Sequence, residues 1–133
     1  MTGSDHTSKQ FDHDLEGLRS GVLEMGGLVE RQIRGAVEAY LTGDRAVIEA
    51  VLEHEVNVNE FEVRLDDDCS HIIARRQPTA GDLRLVMAVS KTVTDLERIG
   101  DEAEKIARMA RQLHVNANAR VPALPGDRKS TRL

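Results

Sequence analysis

A chain of 133 residues with one cysteine, 40% hydrophobic, 31% charged and only 2% aromatic, is long enough to bury a single core without a disulfide or a structural metal. Its formal charge is −5, and because Asp127–Leu133 carries one acid and three bases, the preceding 126 residues carry −7. So acidic a body repels phosphate backbones and anionic headgroups, which argues against nucleic-acid binding. Met1–Gln10 is polar and no run of about 18 apolar residues follows, so neither a leader nor membrane insertion is expected, and the expected location is cytoplasmic.

Residues 1–10 read as a flexible N-terminus and residues 11–114 as one helical unit. The first periodic segment runs from about Ser8 to Leu41, with Phe11, Leu15, Leu18, Val22, Met25, Val29, Ala36 and Tyr40 mostly at steps of three and four. That is the apolar stripe of a bundle helix. The segment also holds Gly17, Gly21, Gly26, Gly27 and Gly35, each costing about 1 kcal/mol relative to alanine inside a helix. A kink at Gly26-Gly27 and a close approach of a neighbouring helix are both compatible with them.

Thr42-Gly43-Asp44 ends the first helix and offers Asp44 as N-cap of the second, which extends to about Arg76. Gln77-Pro78-Thr79 is the next break, because proline lacks an N–H and disfavours helix at the residue before it. A third helix then reads from Thr79 or Gly81 to about Leu113. Helices of roughly 30–35 residues, on the order of 50 Å long, joined by short turns, make antiparallel neighbours. The predicted fold is therefore all-α, an up-down-up three-helix bundle. Residues 115–126, with two prolines and no apolar period, read as a linker. Residues 127–133 resemble the translation of a sequencing-adapter DNA and read as a non-native tail, with a longer natural gene product expected.

The informative residues are polar ones beside apolar rows. On the second helix Ile48, Leu52, Glu55, Asn59, Glu62, Asp66, Cys69 and Ile73 form a stripe with apolar ends and an acidic middle, flanking the apolar row Val47, Val51, Val58, Leu65 and Cys69. On the third, Ser90, Thr94, Glu97, Asp101 and Glu104 flank a row of Val86, Val89, Val93, Leu96, Gly100, Ala103, Ala107 and Ala110. Glu97 and Asp101, at i and i+4, repel each other by a few tenths of a kcal/mol, a sign that a bound cation reverses. Antiparallel packing across Pro78 sets Glu55 level with Asp101, Asn59 with Glu97 and Glu62 with Thr94. Oxygen ligands converging in this way suit a hard or borderline cation.

Competing readings use the same residues. Arg98 and Lys105, at i−3 and i+4 from Asp101, would pair with it on a merely solvated face, leaving a structural helical interaction module. Asp68 and His71 imitate half of a di-iron carboxylate motif, but no second such pair exists. His54, His71 and Cys69 would suit a nucleophile and base, although a thiol at a core edge is more often inert. No glycine-rich phosphate loop or dinucleotide fingerprint is present.

Thr94-Asp95-Leu96-Glu97-Arg98-Ile99-Gly100-Asp101, followed by Ile106-Ala107, resembles the PhoU family of phosphate-signalling regulators, whose helices carry a Glu/Asp-x-x-x-Asp metal motif that Glu97 and Asp101 fill. Arg76-Gln77-Pro78 with Asp82-Leu83-Arg84, Asn59-Glu60-Phe61-Glu62 and Leu23-Glu24-Met25-Gly26 are similar to further family segments, in order over about residues 11–113. The resemblance implies a cytoplasmic, non-enzymatic negative regulator binding a divalent or trivalent ion (Fe, Mn, Zn or Mg) through Glu97 and Asp101, and the count across the Pro78 turn adds Glu55, Asn59 and Glu62 to the expected metal residues. The resemblance implies as partners the ATPase of a phosphate ABC transporter and a sensor histidine kinase, and a homodimer for the full-length form. Family members normally hold two such three-helix repeats, so this chain reads as an N-terminal half.

Overall fold

The two turn signals become two turns. In a computed structural model that describes residues 2–120, α1 spans Thr2–Thr42, α2 Arg45–Arg76 and α3 Ala80–Arg120. Each helix packs on both others, and no strand occurs among the described residues. No helix is long and apolar enough to cross a membrane. The proposed tail, residues 127–133, lies outside the described residues.

Gly43 closes α1 with φ +69° and an N–H bond to the Ala39 carbonyl at 2.8 Å, a left-handed cap that glycine adopts without Cβ strain. A Cβ there would also strike the His114 ring from α3. Asp44 then caps α2 from an extended backbone, its carboxylate accepting from the Ala46 N–H at 2.9 Å. At the other end Gln77 takes φ 48° and Pro78 prevents continuation. Thr79 starts α3 by accepting from the Leu83 N–H at its carbonyl and from the Asp82 N–H at its hydroxyl. Arg76 donates to Asp14 at 2.8 Å and ties the end of α2 to α1. Burial opposes ionisation of Asp14, but the Arg76 guanidinium together with a hydrogen bond from the Gln10 amide outweighs it and holds the carboxyl below its usual range.

Both outer helix ends lie beyond the expected limits. α1 takes in most of the expected flexible N-terminus, residues 1–10, and α3 continues past Leu113 into the expected linker, residues 115–126. Loss of an apolar period does not stop a helix, because Asn116 and Asn118 cost only fractions of a kcal/mol each.

The core divides in two. A larger cluster joins Phe11, Leu18, Met25 and Val29 of α1 to Val58, Leu65, Cys69 and Ile72 of α2 and Val86 and Val93 of α3. A smaller one joins Ala39, Ile48, Val51, Ala107 and Ala110. Tyr40 is exposed, and Ala39, one residue earlier, faces inward in its place. The glycines of α1 separate into two kinds. A Cβ on Gly21 would meet Leu65 at 2.5 Å and one on Gly35 would meet Val51 at 2.7 Å, whereas Gly17 and Gly26 face open space. Close approach therefore accounts for Gly21 and Gly35, and α1 runs as one helix through Gly26-Gly27.

Cys69 is 3% exposed, and burial, then the charges of Asp66 and Asp68, push its thiol up to about 11. Because the thiolate is the reactive species, a thiol-exchange dye should label the folded chain at least a hundredfold more slowly than the chain in 6 M guanidinium. Comparable rates would place Cys69 outside the core.

Candidate functional site

Between the two apolar clusters lies one polar layer. It consists of Gln32 from α1, 0% exposed, Glu55 from α2, 5% exposed, and the backbone of Gly100 from α3. The buried positions of α2 explain it: Ile48, Val51, Glu55, Val58, Leu65, Cys69 and Ile72 follow alternating steps of three and four, with Glu62 filling the gap. Glu55 thus belongs to the core row itself, whereas the sequence reading set it on the row's border. On α3 the row from Val86 to Ala110 runs as predicted, with Val89 and Leu96 partly buried, and Ser90, Thr94, Glu97, Asp101 and Glu104 form its half-buried flank.

Carboxylate oxygens of Glu55, Glu97 and Asp101 lie within 4.8 Å of one another. Burial first, then the approach of Asp101, raises Glu55 to about 7, against a partly compensating hydrogen bond from Gln32. Burial, then Asp101, and then the charge of Glu62 raise Glu97 to about 7 as well. Glu62 is half-buried and shifted upward by burial, Asp66 and Asp101, so it borders the cluster. Asn59 does not join it. One turn beyond Glu55 at 3.6 residues per turn, it is carried about 40° further round the helix, and it sits exposed beside Val56, Glu60 and Val63 on the outer surface of α2. The level pairing across Pro78 holds for Glu55 with Asp101, while Glu97 meets these two and not Asn59.

No ion pair within the described residues neutralises the three acids, although the Arg98 charge partly offsets the rise at Glu97. Among the described residues, Lys105 pairs with Glu102, Arg108 with Glu104 and Lys91 with Asp95, and no ion pair includes Glu55, Glu97 or Asp101. The solvated-face reading does not describe Glu55. Asp68 and His71 line a groove between α1 and α2 with His13, Asp14 and Arg76, away from the cluster.

The sequence reading missed Gln32. It stands three residues after Val29 and four before Ala36, inside the α1 stripe, but a search for apolar members passes over it. Its Nε2 donates to Glu55 Oε2 at 3.0 Å and to the Val51 carbonyl at 3.4 Å, and these two acceptors fix which way the amide faces. Gln32 Oε1 and Glu55 Oε1 are buried with no donor, at about 1–3 kcal/mol for each such group. Three crowded carboxylates, none of them in an ion pair among the described residues, and buried oxygens in need of a positive partner make a donor set that fits a hard, oxygen-preferring cation. Glu55, Glu97 and Asp101 are the residues that would hold it.

Fold and cluster together define a helical-bundle protein whose core is divided by a carboxylate-bearing polar layer. The PhoU domain model matches residues 22–110, and the chain belongs to the PhoU family. It is 51% identical over 108 residues to the phosphate-specific transport system accessory protein PhoU homolog of Pseudomonas aeruginosa, covering 81% of this chain and 45% of that protein. It is likewise 51% identical over 105 residues to the phosphate-specific transport system accessory protein PhoU of Escherichia coli, covering 79% and 44%. The crystal structure of PhoU from Pseudomonas aeruginosa superposes with a TM-score of 0.76 at 50% identity, over 77% of this chain and 49% of that one. The chain thus spans a little under half the length of these relatives.

Proposed function

We propose that this chain is one three-helix module of a metal-binding regulator of phosphate uptake, a cytoplasmic, non-catalytic adaptor between the ATPase of a phosphate ABC transporter and a sensor histidine kinase. In this reading the regulator holds the phosphate-starvation response off when phosphate is plentiful, and the full-length form is a homodimer. The observation that carries it is the identity, about one residue in two, to proteins named as accessory to the phosphate-specific transport system. The gathering of Glu55, Glu97 and Asp101 supports the metal.

An adaptor bridges two partners only when both of its surfaces engage together, and this chain supplies one three-helix bundle. In cells lacking their own PhoU protein, residues 1–126 alone should fail to repress a phosphate-starvation reporter. A fusion of residues 1–126 to the second half of the Pseudomonas aeruginosa relative should repress it at least tenfold, and Glu97→Gln with Asp101→Asn in that fusion should relieve most of the repression. A stably expressed fusion that never represses would contradict the regulatory reading. Equal repression with and without the two carboxylates would contradict the part assigned to metal.

A further inference from the structure

We infer that Gln32 is a positioning residue of the candidate cation site, bringing α1 into a site whose carboxylates all come from α2 and α3. The inference rests on the metal reading above and assigns a role to a residue outside the Glu/Asp-x-x-x-Asp motif.

The geometry is specific. The Gln32 amide crosses from α1 to the floor of the acidic cluster and donates to only one oxygen of Glu55, Oε2, at 3.0 Å. Glu55 Oε1 is left buried without a donor, as is Gln32 Oε1. Gln32 Oε1 is turned toward α3 at Gly100, where a Cβ would stand 2.7 Å from it and 3.4 Å from Glu55 Oε2. Gly100 directly precedes Asp101 and lies three residues after Glu97. Its missing side chain is the room in which the amide lies. A carboxylate that spends one oxygen on an amide N–H has its orientation set and keeps the other for a cation, the arrangement by which outer-shell hydrogen bonds tune metal ligands. A buried polar layer that served only to fix helix register would show the same Gln32–Glu55 bond, but its removal would leave cation affinity unchanged.

The test uses Mn²⁺ as the probe, with the free ion counted by its electron paramagnetic resonance signal, on the full 133-residue chain. Gln32→Leu keeps much of the volume and removes the amide. Gly100→Ala keeps the amide but forces it from its place. Each should weaken Mn²⁺ binding about tenfold or more, and Gln32→Leu should also melt somewhat lower without metal, because Glu55 Oε2 loses its buried donor even as the unpaired Gln32 Oε1 is removed. A merely structural role would move stability and leave affinity alone. Parent-like Mn²⁺ affinity in folded Gln32→Leu would overturn the inference without touching the metal reading, and if Gln32→Leu fails to fold, parent-like affinity in Gly100→Ala would do the same. Parent binding no tighter than that of Glu97→Gln, Asp101→Asn would overturn both.

Discussion

Freed of metal by a chelator, the chain should be less stable at pH 8 than at pH 5.5. Glu55 and Glu97 are each raised to about 7 in the folded state, by burial first and then by Asp101, while the unfolded chain titrates at the ordinary value of 4.5. The folded chain therefore holds protons that the unfolded one has released. The stability linked to them is lost as the pH rises from about 4.5 through 7. Allowing for the partial solvation of Glu97, the loss is on the order of 2 kcal/mol, or roughly 5–8 °C in melting temperature. Asp14 works in the opposite sense, its lowered value giving stability that disappears only as the pH falls below its ordinary 3.8, outside this window. Glu97→Gln with Asp101→Asn should flatten much of the profile, because Glu97 no longer titrates and Glu55 loses the influence of Asp101, leaving burial alone to hold its proton. A parent chain as stable at pH 8 as at pH 5.5 would show that the three acids are not crowded as described.

What could be read from the sequence divides along a physical line. Asp44 and Pro78 act within a few residues through capping and the lost N–H, so the turns were legible. So was the α3 row from Val86 to Ala110, whose steps of three and four never falter and whose half-buried flank contains Glu97 and Asp101. The level pairing of Glu55 with Asp101 followed from counting out of the Pro78 turn. Angle around the helix axis was harder to judge than distance along it. The α2 apolar residues could be grouped into more than one stripe, and only packing against two neighbours selects the row that contains Glu55 and turns Asn59 outward. Ala39 displaces Tyr40 for the same reason.

Gln32 was illegible for a different reason. Hydropathy patterns identify core positions by the residues that favour burial there, and a glutamine is buried only because a partner, Glu55, sits 23 residues away in sequence and 3.0 Å away in space. The glycines show the same limit. Gly21 and Gly26 look alike in the sequence, yet only Gly21 faces a leucine across a helix interface.

A hard cation bound by Glu55, Glu97 and Asp101 in the folded chain and not in the unfolded one must stabilise the fold by mass action. At a hundredfold excess over the dissociation constant the gain is about 2.7 kcal/mol, roughly 8–10 °C for a chain of this size. Like charges at i and i+4 destabilise a helix by a few tenths of a kcal/mol, so the variant lacking Glu97 and Asp101 charges should melt slightly above the metal-free parent and gain little from the ion. The most direct measurement is the melting temperature at pH 7.5 with and without saturating Mn²⁺, for the parent and for Glu97→Gln, Asp101→Asn. The account predicts a rise of several degrees in the parent that the double substitution abolishes. Equal rises in both proteins, or none in the parent, would contradict it.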